Sequence, residues 1–295
     1  MKTVSIIGIG RVGGALALAL DKNNYKIENL VVRTSKIAEK ISSKLTSKPR
    51  IFSIDNFPKI ESEIVFITTQ DSEIENVAEK ISTKIAQETF VFHTSGALSS
   101  EILSNLRTNE IFVGSIHPLV SISDSILGEK RFANSFFCLE GDEKAVEKAK
   151  KIVEDLGGNS FSIESKYKSL YHAAAVTACG HLVATIDTAI EMLGKCGLEN
   201  TESQKILLPL IQSTIENLES QNTANALTGT FARADSETFD KHLKIIKENL
   251  SAEILEIYLL LGLRSLKLAE IQGTNFERIE KLRKKILLAK NELKC

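Results

Sequence analysis

The chain has 295 residues, 43% hydrophobic and 25% charged, with 37 basic side chains against 38 acidic ones. That length holds two domains, and a net charge of −1 removes any global electrostatic reason to expect nucleic acid or an anionic membrane as partner. Cys138, Cys179, Cys196 and Cys295 lie far apart with no Cys-x-x-Cys pair, so neither a metal site nor a disulfide framework is expected. No N-terminal signal and no run approaching the ~18 apolar residues of a membrane span is read, so the protein is expected to be cytoplasmic.

The chain opens with the β-branched strand Thr3 to Ile7, breaks at Gly8-Ile9-Gly10-Arg11-Val12-Gly13, and continues as the alanine- and leucine-rich helix Ala15 to Leu20. Strand, Gly-x-Gly-x-x-Gly and helix in that order read as a dinucleotide site. Gly8 permits the tight turn, Gly10 lets backbone approach a pyrophosphate, and Gly13 brings helix close to strand. The pyrophosphate is expected on the helix N-terminus, where free N–H groups face it.

The second strand, Ile27 to Val32, ends at Arg33-Thr34-Ser35, where an NAD-specific site has a carboxylate for the ribose 2′-hydroxyl. Arg33 instead matches a 2′-phosphate, with Thr34 and Ser35 as hydroxyl donors, and NADP(H) is the expected cofactor. The competing reading is a solvated arginine on a polar loop.

A helical stretch follows over residues 36–45, then a strand Arg50 to Ile54. The buried strand Glu63 to Thr69 leads through Gln70-Asp71-Ser72 into a helix that reaches Ile85. Alternating strands and helices imply a mostly parallel, doubly wound sheet whose ligand crevice lies at the carboxyl ends of the strands. Thr68, Thr69 and Asp71 therefore fall near the cofactor, a placement compatible with helix capping. The next strand, Thr89 to Phe92, ends in His93-Thr94-Ser95-Gly96, with a helix over 99–106. Ser95 can offer a hydroxyl to a ligand or merely cap a turn. Strand Ile111 to Leu119 carries His117, either a proton donor or a histidine satisfied by backbone. Strand Ser135 to Leu139, helix Glu143 to Leu156 and strand Ser160 to Ile163 complete an α/β domain spanning 1–164.

Residues 165–295 switch to helical periodicity, with helices expected over 166–196, 201–219, 236–250, 251–272 and 275–294. His172 and His181 stand nine residues apart, on opposite faces of one helix. Thr177, His181 and Thr185 share a face, which fits a substrate wall or side chains bonded to backbone equally. Between helices, Ala226 to Asp235 concentrates polar groups. Arg233 is a candidate carboxylate anchor with Asp235 orienting it and Thr228 beside them, or the two charges hold the loop.

This order of pieces resembles the 6-phosphogluconate-dehydrogenase-like superfamily. Within it, the chain is similar to bacterial proteins that join a Rossmann-like domain to a C-terminal helical domain. The likeness rests on Gly8 to Gly13, His93-Thr94-Ser95-Gly96, Ser115 to Leu119, Tyr171 to Ala175 and Leu227 to Asp235. It departs at Gly180, where the family has Asn, and at Thr230, where it has Pro. With Gly180 in place of a substrate-handling Asn, His181 or His172 inherits that role, or the chemistry differs. The resemblance implies a homodimer through the helical domain, a cofactor between the halves, and NADP oxidoreductase activity, including an alternative ketopantoate reductase group. Three functions stay open: reduction of a small 2-oxo acid with His117, His172 or His181 as donor, reduction of an imine such as pyrroline-5-carboxylate, and a non-catalytic NADP-binding sensor or assembly protein.

Overall fold

A computed structural model describes residues 1–23, 25–107 and 110–293; Lys294, the end of the last expected helix, and Cys295 lie outside them. The chain divides into two compact units, Met1–Gly180 and His181–Cys295.

The first unit is built from β1 (Lys2–Ile7), α1 (Arg11–Lys22), β2 (Tyr25–Val32), α2 (Ser35–Ser42), β3 (Arg50–Ser53), β4 (Ile64–Ile67), α3 (Ile74–Ile81), β5 (Phe90–His93), β6 (Phe112–Pro118), α4 (Ser125–Gly128), β7 (Phe136–Gly141), α5 (Glu143–Asp155) and β8 (Asn159–Ser162). The strands form one eight-stranded sheet in the order β3-β2-β1-β4-β5-β6-β7-β8. Every pairing is parallel except β6 with β7. Val4, Ile6 and Ile7 of β1 and all of β4 are buried without alternation, because helices cover both faces. Residues of α1, α2 and α5 pack one face; α3 and a 3₁₀ helix at Ser100–Leu106, where a regular helix is predicted, pack the other.

The order reverses between β1 and β4, which opens a crevice at their carboxyl ends. Two glycines are required there. Gly8 has φ +95°, and a Cβ on Gly13 would lie 2.2 Å from the Gly8 carbonyl oxygen and 2.3 Å from Thr68 Oγ1. The four-residue α4, too short to give a periodic signal, is capped by Asp124, which accepts from the N–H groups of Ile126 and Leu127.

Helix α6 (Lys168–Lys195) runs unbroken across the junction of the two units. That junction lies at residue 180 rather than near 164, because the first turns of α6 pack on the sheet: Lys168 is buried and Tyr171 meets His117 of β6. The segment Ser165–Lys195 has a mean hydropathy of 1.4 in its most apolar stretch and is, by length and composition alone, apolar enough to cross a membrane. This corrects the sequence reading that no run approaches such a span; alanines and small residues between the larger side chains disguise its continuity.

The second unit continues with α7 (Asn200–Ser220), α8 (Thr223–Ala226), α9 (Gly229–Ala232), α10 (Ser236–Asn249), α11 (Ala252–Ile271) and α12 (Phe276–Glu292). Phe239, Leu259, Leu266, Ile279, Leu282 and Ile286 form its core. Gly262 lets the Phe231 ring lie against α11, where a Cβ would come within 2.7 Å of it.

Candidate functional site

The crevice beside β1 holds a groove of about 610 Å³ lined by Gly8, Ile9, Gly10, Arg33, Thr34, Thr68, Thr69 and Glu73, among others. Gly10 caps α1 without any side-chain hydrogen bond, so the N–H groups of Arg11, Val12 and Gly13 in the first turn face no capping side chain. A Cβ on Gly10 would meet nothing within 4 Å, and Thr69 Oγ1 is buried without a hydrogen-bond partner among the described residues. Open space over a helix N-terminus beside an unsatisfied hydroxyl fits a dinucleotide pyrophosphate.

Arg33 pairs with Glu73, both line this groove, and Arg33 is otherwise exposed. Thr34 lines the groove, while Ser35 opens α2 and is exposed. Thr68 donates its hydroxyl to the Gly8 carbonyl and so clamps the turn. Asp71 accepts from Ser95 Oγ at 2.8 Å, and Ser95 Oγ in turn accepts from the N–H groups of Ala97 and Leu98. Ser95 thus stabilises the turn after β5, with Asp71 as its acceptor.

A second cluster forms where β5, β6 and the start of α6 meet. His117 Nδ1 lies 2.7 Å from the Tyr171 hydroxyl, and the His117 and His172 rings stand edge to face with centroids 5.9 Å apart. Both rest on Gly96, where a Cβ would fall 2.5 Å from His172 Cδ2 and 2.7 Å from His117 Nε2. The cluster opens on a cleft of about 600 Å³ whose walls are β6 and the turn after it, through Ser121, and the first turns of α6 to Gly180. Burial, then the Lys168 ammonium and His172, pull His117 down to about 4. Burial likewise takes His93 down to about 3; its Nδ1 accepts from the Ser95 N–H, and its Nε2 makes no well-formed hydrogen bond among the described residues. Burial raises Tyr171. At neutral pH both imidazoles are therefore uncharged and the phenol keeps its proton.

Of the remaining predicted residues, Thr177 lies in the first unit and the others in the second. His181 is exposed on α6. Thr177 and Thr185 direct their hydroxyls to the carbonyls of Ala173 and His181 one turn back, so that stripe is bonded to backbone. Asp235 is the N-cap of α10, accepting from the N–H groups of Glu237 and Thr238 and from the Thr238 hydroxyl. These bonds, with a smaller contribution from the charge of Arg233, hold its carboxyl below the usual range. Asp235 thus has a structural task as the cap of α10, in line with the alternative that it holds the loop. Thr228 and Arg233 are exposed. Gln272 donates to the Leu227 carbonyl just before Thr228, and Thr274 to the Ala232 carbonyl just before Arg233, so the segment is pinned on both sides of α9.

Sequence reasoning missed Tyr171, Lys168, Glu140 and the role of Gly96. The legible signal was the i, i+3, i+4 spacing of Lys168, Tyr171 and His172, which puts a cation, a phenol and an imidazole on one face of an otherwise apolar helix.

Residues 1–118 match the model of a Rossmann-like domain, and residues 135–265 match a domain of unknown function, DUF2520. The chain is thus similar to a Rossmann-like domain over its first part and to DUF2520 over a later part. No protein of curated function matches its sequence. Among solved structures, it is similar to TM1727 from Thermotoga maritima, with TM-score 0.70, 25% identity, and coverage of 92% of this chain and 99% of that one. BF3122 from Bacteroides fragilis, described provisionally as an NADP oxidoreductase, gives TM-score 0.74 and 21% identity over 90% of this chain and 97% of its own. A Plasmodium falciparum pyrroline carboxylate reductase with NADP bound gives TM-score 0.58 and 13% identity over 96% and 97%. The fold is similar to that of these three structures.

Proposed function

We propose that the protein is an NADPH-dependent reductase of a small carbonyl or imine compound, with the 2-oxo acid ketopantoate as the first substrate to test. The observation that carries this reading is the His117–Tyr171 pair, held uncharged over the bare backbone of Gly96 at the mouth of a cleft. With the Tyr171 hydroxyl donating to Nδ1, His117 keeps its proton on Nε2. A neutral imidazole is a weak acid but a good hydrogen-bond donor, so His117 polarises the substrate and stabilises negative charge developing on its oxygen. His172, edge-on to His117, is the candidate for delivering the final proton. When bound, the nicotinamide supplies hydride to the electrophilic carbon. Gly8, Gly10 and the first turn of α1 would hold its pyrophosphate, and Arg33, released from Glu73, would take the 2′-phosphate. Arg33 is the argument for NADPH over NADH. Arg233 is proposed as carboxylate anchor on its chemistry, and Arg233→Ala is expected to raise KM.

The imine reading has its own support. An iminium already carries its proton and needs no strong acid, which suits a histidine kept neutral, and the fold likeness extends to pyrroline carboxylate reductases and to an Aspergillus terreus reductive aminase in complex with NADPH and ethyl levulinate.

We also propose a homodimer. Neither α6 nor α7 buries an apolar side chain within the single chain, and Val183 and Leu210 are 64% and 65% exposed. Glu202, Lys205, Glu216 and Glu219 are spread along α7, so a lipid bilayer is a poor cover for this surface and a second copy a good one.

The test is loss of NADPH absorbance with ketopantoate, pyrroline-5-carboxylate and further 2-oxo acids, with NADH as control. Turnover of an oxo acid supports the leading reading, and turnover of the cyclic imine alone moves the assignment to the second. Tight NADPH binding with no acceptor reduced would make the protein a cofactor-binding sensor.

A further inference from the structure

Beneath the histidine cluster lies an ion pair that no step above uses. Lys168, in the first turn of α6, is 1% exposed. Its ammonium donates to Ser115 Oγ at 2.6 Å and lies 3.5 Å from Glu140 Oε1 on β7. Glu140 is itself saturated: Oε1 accepts from the Ser100 N–H at 2.7 Å, while Oε2 accepts from the Ser100 hydroxyl at 2.8 Å and the Ser165 hydroxyl at 3.2 Å. Both carboxylate oxygens are thus held by Ser100, Ser165 and Lys168. Ser115 precedes His117 by two residues on β6, on the same face of the sheet, and Tyr171 and His172 follow Lys168 by three and four on α6. A buried, compensated charge is expensive to desolvate and is not explained by stability alone.

We propose that Lys168 is a positioning residue for the proposed reaction: its ammonium, oriented by Glu140 and Ser115, is a fixed positive charge behind His117 that keeps this imidazole a neutral hydrogen-bond donor. The inference rests on the reductase reading for its purpose, but not for its test. The groups facing His117 are His93 on β5, Ser115 and its own strand, Cys138 and Glu140 on β7, and Lys168, Tyr171 and His172 on α6. Of the charges among them, Lys168 acts on His117 directly and disfavours its protonation. The same charge favours any oxyanion that forms at His117 Nε2.

The experiment is an NMR titration of the His117 imidazole in the full chain without cofactor or substrate, so it reads the same whether or not the protein reduces anything. Wild type is expected to hold His117 neutral down to about pH 4. In Glu140→Gln/Lys168→Met, a neutral pair of similar volume, the midpoint should rise by at least about half a unit, a threefold gain in proton affinity. Glu140→Gln alone leaves the ammonium uncompensated and should move the midpoint the opposite way, downward. It retains the contacts to Ser100 and is the second arm should the double variant not fold. Opposite shifts in the two variants, or the downward shift alone when only that variant folds, support the charge. A role confined to packing predicts no movement in either, and that result, or an upward shift in Glu140→Gln, overturns the proposal.

Discussion

The sheet of the first unit and the long helices α6 and α7 treat their apolar residues in opposite ways. In the sheet, β1 and β4 disappear between two layers of helices, and even the charged pair Lys168–Glu140 is enclosed. Along α6 and α7 the only buried residues are Lys168 and Ser203, while leucines, isoleucines and valines stand in the open. An isolated folded chain does not stably present such a surface, since each fully buried side chain of this size contributes about 1.5–3 kcal/mol. The first region buries its apolar residues within one chain, while the exposed apolar faces of α6 and α7 are what the proposed dimer would cover.

The contrast can be broken most forcefully on the helices. Leu210→Glu should convert the proposed dimer to monomer, raising its dissociation constant roughly 30-fold or more in sedimentation equilibrium, with the circular dichroism of the helices retained. An unchanged assembly would remove α7 from the interface.

Within the first unit, acid should act before heat. His93 and His117 have folded values of about 3 and about 4 against 6.5 in the unfolded chain. As pH falls below 6.5, the unfolded state takes up protons that the folded state refuses. Stability should therefore be level above pH 6.5 and decline toward pH 4, by on the order of 1 kcal/mol per unit for each histidine. Denaturant melts across that range check it, and a flat profile would mean the two rings are not held neutral.

Gly13→Ala places a Cβ against the Gly8 carbonyl, so a cost of about 1–3 kcal/mol and weakened NADPH binding are expected. Thermal melts and cofactor titration read both, and a variant with native stability and affinity would show the turn is less tight than described. The smallest effect belongs to Glu73→Gln. Freeing Arg33 from an exposed pair should tighten NADPH about threefold and leave NADH unchanged, which comparative titrations would resolve.

Much of the first unit was legible because its signals are local: the glycine turn after a β-branched strand, the strand spacing and the missing carboxylate at Arg33. The five long helices follow from periodicity, within a few residues. What escaped depends on contacts between distant segments. Nothing near Asp71 or Ser95 announces that they bond each other across 24 residues of sequence. Glu140 looks like any strand-end carboxylate until Ser100, Ser165 and Lys168 converge on it. The capping role of Asp235 was not legible, because a capping aspartate and a ligand-binding one share the same loop chemistry. The 3₁₀ form of 100–106 and the short α4 lack the length that gives periodicity meaning.

The central claim, that a neutral His117 at the β6–α6 contact serves NADPH-dependent reduction, is tested most directly by His117→Gln. With any acceptor that the wild type reduces, the account predicts NADPH affinity within a factor of about two and kcat lowered about 100-fold. Undiminished turnover in a folded His117→Gln protein would contradict it.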